Sequence, residues 1–277
     1  MRRNIVKLSV RSQTFHAVAA AILLSALLGA ASCSPAMFAP PAGPGDPAPD
    51  APAAWGEAIA TCRPIQTYSA LVTLSGNVEG QRFPGITVNT ALTADGAAYL
   101  HAHASGRQLF VLAGRPDRAW LWLREEHRVV EAALADIVDA LASVRIDGAE
   151  LLAILSGCAV RELDMVSGRR FGDLLAVTTP GGRVFLQQTN GSWTTRAGEL
   201  QQLSVDYRER AAGWPADVLV GTADRPSPGV RLRFRIEQVV IAEPLAPQLF
   251  ERPEGAATAT PMTLGELRVS GPLRRGR

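Results

Sequence analysis

His101 and His103 stand two residues apart, which on a strand puts both rings on one face with Tyr99 beside them. With His127 they are the only histidines after residue 16 of this 277-residue chain. Three imidazoles could coordinate zinc, but no cysteine or carboxylate stands at a reinforcing spacing; the competing reading is a partly exposed strand face. A Ser-His-Asp triad would have to draw on the same three rings, and GxSxG, HExxH and Gly-rich phosphate motifs are absent from the sequence. Lys7 is the only lysine, so Schiff-base chemistry, a P-loop lysine and lysine general bases are excluded after it. These residue types point away from an enzyme, and no cofactor or metal is expected.

The cysteines carry a different chemistry. Arg2, Arg3, Lys7 and Arg11 precede an apolar run from Ala17 to Ala31, the form of a bacterial export signal. At roughly 15 residues the run is shorter than the ~20 of a permanent span. Leu28-Gly29-Ala30-Ala31-Ser32-Cys33 resembles a lipobox, so residues 1–32 read as a lipoprotein signal peptide and Cys33 as the lipidated N-terminus, carrying palmitate-type chains; cleavage by the ordinary signal peptidase is the alternative. More than one acyl chain would anchor the protein stably in a membrane. Ser34 after the cysteine resembles the pattern of lipoproteins sent to the outer membrane, which places the chain on its periplasmic face. With Cys33 consumed, Cys62 and Cys158 remain as an even pair in an oxidising space, and a disulfide between them is expected, two separate buried thiols being the alternative.

Of 28 Lys and Arg, four precede Cys33, which leaves 24 against 26 Asp and Glu, a net charge of −2. A balance of that sign lacks the electrostatic footprint of a nucleic-acid binder.

The elements that must position these residues follow from hydrophobic periodicity. Residues 33–52 are Pro, Ala and Gly with few large apolar side chains and read as a tether. The folded domain is expected over 53–273, with a basic tail over 274–277. Trp55 and Ile59, four apart, suggest a short helix between Ala53 and Thr61. Tyr68, Ala70, Val72 and Leu74 alternate with polar residues, as do Ile86, Val88, Thr90 and Leu92, and further strands read at Ala97 to His103, Leu109 to Ala113 and Ala119 to Arg124. The period then changes: Ala132, Leu134, Ile137, Val138 and Leu141 recur at helical spacing, and Leu151, Leu152, Ile154 and Leu155 follow Asp147-Gly148. Two helices are therefore expected before strands resume at Leu174. In the last of these, Val230, Leu232, Phe234 and Ile236 alternate with Arg231, Arg233, Arg235 and Glu237, an apolar face against a wet one. The fold class is α+β, mainly β: about nine or ten antiparallel strands, several long enough to force a strongly curved half-barrel, with a two-helix lid.

This arrangement resembles the LolA and LolB lipoprotein-carrier superfamily. The residues that carry the likeness are the long strand from Tyr68 to Leu74, the strand Trp120-Leu121-Trp122-Leu123, the two-helix insertion ending in Gly157-Cys158, and the strand Val230 to Ile241 before Pro244-Leu245-Ala246-Pro247-Gln248-Leu249-Phe250. The resemblance implies an open barrel that holds acyl chains or lipoproteins between sheet and lid without covalent chemistry, as carrier or receptor. Leu74, Leu92, Leu100, Trp120, Trp122, Leu232 and Phe234 are the cavity candidates on the sheet, and Leu134, Ile137, Val138 and Leu141 those on the lid. For the two tryptophans ordinary core packing competes with a cavity role. Arg268, Arg274, Arg275 and Arg277 form a terminal basic cluster that could meet anionic lipid. The alternative function is a structural or assembly lipoprotein with a filled core, acting through contacts with other envelope proteins.

Overall fold

The computed structural model describes residues 36–158, 164–222 and 229–273. Cys33 and the tail 274–277 lie outside them. No helix among the described residues is long and apolar enough to cross a membrane.

The chain enters through a two-residue strand β1 (Asp46–Pro47) and a helix α1 (Ala51–Ala60). It then runs as a meander through β2 (Thr67–Val78), β3 (Gln81–Thr93), β4 (Ala98–Ala104), β5 (Arg107–Gly114), β6 (Ala119–Leu123) and β7 (Arg128–Ala132). Helices α2 (Leu134–Ala142) and α3 (Gly148–Ser156) interrupt the strands where the period changes to that of a helix. A second meander follows through β8 (Ser167–Phe171), β9 (Leu174–Thr179), β10 (Gly182–Thr189), β11 (Ser192–Leu200), β12 (Leu203–Ala211), β13 (Trp214–Thr222) and β14 (Arg231–Ile241). A short strand β15 (Thr260–Pro261) and helix α4 (Leu264–Ser270) end the described chain.

All strands join one unclosed sheet whose order is β1-β8-β9-β10-β11-β12-β13-β14-β2-β3-β4-β5-β6-β7-β15. Every pairing is antiparallel except β15 on β7. The two meanders meet at its centre, where β14 pairs β2 from Arg231 opposite Asn77 to Ile241 opposite Tyr68. Gly76 is required at this seam: a Cβ there would collide with the carbonyl oxygen of Arg231.

Alternation assigns the two faces. Tyr68, Ala70 and Val72 of β2, Leu121 and Leu123 of β6, and Leu232, Phe234 and Ile236 of β14 are buried on the inner face, under α2 and α3. On α3 the N-cap Asp147 and Glu150 form a capping box, and Gly157 ends the helix with φ 84°. The next residue, Cys158, is disulfide-bonded to Cys62 with Cα atoms 5.7 Å apart, across 96 positions of chain. The hydroxyl of Tyr207 on β12 donates to the carbonyl of Ile154 at 3.0 Å, fastening α3 to the second meander.

Terminal segments cover the outer face of each half. The stretch expected to be a free tether is pinned from Met37 onward. The Phe38 ring lies 5.0 Å from that of Phe185, its N–H donates to Asp206 Oδ2 at 3.1 Å, and Asp46–Pro47 pairs with Arg169 and Arg170. Phe38, with Phe171, covers an apolar patch of Phe185, Ala176 and Ala197 on the outer face that would otherwise be wet. On the other half the chain after β14 packs a 3-10 turn, Pro247–Phe250, on β4 and β5 and a second, Glu254–Ala256, on β6. It then adds β15 and wraps round the edge, so that Leu267 and Leu273 are buried beside the lid.

Candidate functional site

An apolar pocket lies between the inner face and the lid. Leu74 of β2, Leu100 of β4, and Leu232 and Phe234 of β14 form its floor with Val88, Phe110 and Leu112. Leu134, Val138 and Leu141 of α2 form its roof, with Leu151 of α3 and Val144 and Ile146 from the connection between the helices. Leu273, at the end of the described chain, closes one side. Asp147 is the one lining residue with a charged side chain, and its Oδ1 is taken by the Glu150 N–H at 2.7 Å. No polar group is therefore available to orient a ligand inside, and anything held there is held by burial. The cavity is about 80 Å³. It is partly open to solvent, with Leu74, Leu100, Val138 and Leu151 only half-buried on its walls, and it is well below the ~300–1,000 Å³ of drug-sized ligand sites.

The two lid helices are held differently. The disulfide at Cys158 fixes α3 at its C-terminal end, and at its N-terminal end Gly148 packs so closely on Gly96 that a Cβ would meet the Gly96 carbonyl. Helix α2 lacks a side-chain N-cap: Leu134 N–H donates instead to Pro116 O at 3.0 Å, and Ser143 ends the helix at φ 56°. Its other polar ties are surface ion pairs, Asp136 with Arg145 and Asp139 with Arg268, and a 2.8 Å hydrogen bond from Ser143 Oγ to Glu79. Exposed ion pairs contribute about 0–1 kcal/mol each. Of the two, α2 has the fewer covalent and close backbone ties, and its buried Leu134, Ile137, Ala140 and Leu141 hold it to the core.

Seven of the eleven cavity candidates stand on the pocket wall: Leu74, Leu100, Leu134, Val138, Leu141, Leu232 and Phe234. Leu92 and Ile137 are fully buried in the core and do not reach it. Trp120 and Trp122 stand on the opposite face, packed with Val129, Ala256 and Ala259. The reason is phase: Leu121 and Leu123 take the inner face of β6, so both tryptophans must point out. There they hold the returning C-terminal segment, with the Arg118 and Arg124 guanidinium groups 5.2 and 6.0 Å from their ring centres. The wall also takes Val88, Phe110, Leu112, Val144, Ile146, Leu151 and Leu273, none of them among the cavity candidates; the alternation of β3 and β5 marks the first three, and nothing local marks Leu273.

The histidines do not converge into a three-ligand site. The His101 and His103 rings are 4.0 Å apart on the outer face of β4, while His127 occupies the turn between β6 and β7. Desolvation, then the charge of His103, lowers the His101 pKa below the ordinary imidazole value. Among the described residues no group of three or more His, Cys, Asp or Glu side chains could hold a metal ion. On the wet face of β14 Arg233 is already committed, forming a bidentate pair with buried Asp217 at 2.8 and 2.7 Å.

No protein-family model matches the sequence, and no curated protein matches it. Solved structures similar in shape include a LolA superfamily protein from Nitrosomonas europaea, 11% identical with a TM-score of 0.45, covering 72% of this chain and 94% of its own. A DUF1329 family protein from Desulfovibrio piger is 14% identical with a TM-score of 0.43, covering 74% and 98%. A domain assigned to outer membrane lipoprotein sorting from Vibrio parahaemolyticus is 8% identical with a TM-score of 0.42, covering 67% and 89%. At these scores the likeness carries no functional weight, and what the pocket can bind is read from its own walls.

Proposed function

We propose that this chain binds acyl chains, as lipid or as the lipid part of lipoproteins, between its sheet and α2, and that it acts as a non-catalytic carrier or receptor. The observation that carries this reading is the pocket: an apolar recess between sheet and lid, walled by aliphatic and aromatic side chains from both meanders and the lid. A core built only for stability gains nothing from an unfilled apolar space, which costs contacts on every wall. Each methylene buried there would contribute about 0.8 kcal/mol. At about 80 Å³ the pocket holds only a fragment of a chain, so binding of a whole chain requires α2 to lift from the floor while α3 stays fixed. Lipidation of Cys33, with the domain at the periplasmic face of the outer membrane, belongs to the same proposal.

The small volume also favours a second reading, in which the core is functionally filled and the protein is an assembly lipoprotein working through contacts with other envelope proteins. Native mass spectrometry of the chain from Ser34, purified from a bacterial periplasm, separates the two. Co-purifying lipid or lipopeptide, removed by organic extraction, is the result expected of a carrier. A clean apo mass with no uptake of added fatty acid or lipopeptide would leave the assembly reading.

A further inference from the structure

Beside the apolar pocket lies a second, polar cleft of about 200 Å³, lined by Ser143, Arg145, Gln201, Gln202 and Thr222 with Val144 and Leu203. The two cavities share Val144 as a common wall. Their linings differ: the apolar pocket offers no uncommitted polar group, while the cleft presents two side-chain amides and one guanidinium beside two hydroxyls already engaged, Ser143 Oγ donating to Glu79 and Thr222 Oγ1 accepting from the Val230 N–H. None of its walls is acidic. Arg145 is mostly exposed and pairs with Asp136 through Nη1. A guanidinium carries five N–H donors, so that pairing does not exhaust it.

We propose, resting on the acyl-binding reading above, that the ligand is an amphiphile with an anionic head, a carboxylate or phosphate, seated in the cleft at Arg145 while its chain passes Val144 into the pocket beneath α2. Ser143 and Arg145 follow α2 directly, so the segment that must move to admit the chain also carries the residues that meet the head. Chain entry and head recognition are then one event. Selectivity for the anion lies outside the apolar walls, where a charge stays hydrated enough to be bound without the cost of full desolvation.

The test titrates the intact purified protein, below micellar concentrations, with dodecanoate, dodecyl phosphate and dodecanol, reading displacement of a fluorescent alkyl alcohol. The two anions should displace it about five-fold more tightly than dodecanol, as expected for one partly exposed charge pair. Arg145→Ala should abolish that preference, whereas Asp136→Asn, which breaks the same tie of α2 but keeps and releases the guanidinium, should raise it. Equal displacement by all three, or a preference that survives Arg145→Ala, overturns the head-group assignment and leaves the apolar pocket standing. Inorganic phosphate displacing as well as dodecyl phosphate also overturns it, because the cleft would then recognise a free anion. If neither the probe nor any of the three binds, the acyl-binding reading itself fails, and the head-group assignment with it.

Discussion

Gly255 lies against the indole of Trp122 so closely that a single methyl group added to Gly255 would collide with the ring. This contact locks the returning C-terminal segment onto the outer face of β6, and that segment ends in Leu273 at the pocket. The outer face and the ligand pocket are thus joined by one length of chain.

Trp122→Ala should release that length without unfolding the sheet. A half-buried indole costs less on truncation than a fully buried one, about 2 kcal/mol. The expected result is rapid proteolytic cleavage between residues 251 and 263 with the cooperative melt of the remainder retained. Gly255→Leu should give the same pattern by collision. Unchanged cleavage in both would mean that the segment is held elsewhere.

Reduction of the Cys62–Cys158 bond, or Cys158→Ser, should lower stability by about 4 kcal/mol, the chain-entropy value for a closed loop near 100 residues. Denaturant titration with and without reductant measures it. Because the bond anchors α3, hydrogen exchange in α3 should rise more than in α2.

Val138→Phe puts extra volume into the void under α2. Filling an existing cavity is tolerated, so stability should stay within about 1 kcal/mol of the parent while uptake of fatty acid falls by tenfold or more. Loss of stability together with uptake would show that the space is not available to a side chain.

Glu266 gives a pH dependence with a definite sign. The Thr263 N–H, then the Arg128 guanidinium and the Thr263 hydroxyl, hold its carboxylate at about 2. A released glutamate titrates near ~4.3, so the released form binds the proton more tightly. Docking of α4 is supported fully above that value and weakens as the pH falls towards 2. The protection of amides in residues 264–270, taken relative to the intrinsic exchange rate at each pH, should fall between about pH 5 and about pH 3 more than that of β4. Glu266→Gln should remove the difference.

The long alternating strands were legible because period two places one face in the core wherever it persists, and Val230 to Ile236 shows it without interruption. The helical pair was legible by its change of period, and the disulfide by cysteine count. Phase was harder to read than period. Trp120 and Trp122 share a face, but only their neighbours Leu121 and Leu123 decide which face, and large rings bias the reading inward. The short edge strands and covering segments were illegible for another reason. Ala256, Ala259 and Leu273 are buried and Phe38 partly buried, each by residues far away in sequence, and no periodic pattern in their own segments marks them.

The seam between β2 and β14 sets the order in which the molecule can be completed. Each meander is built from neighbours in sequence, so its hairpins close short loops quickly. The pairing of Tyr68 with Ile241 instead waits for more than half the chain to be made. Until β14 arrives, the twelve residues of β2 present an unpaired sheet edge, the geometry most prone to joining the wrong partner. A nascent chain of this topology therefore passes through a long interval with a half-finished sheet, and a helper that shields one strand edge would do more for its yield than one that shields the core.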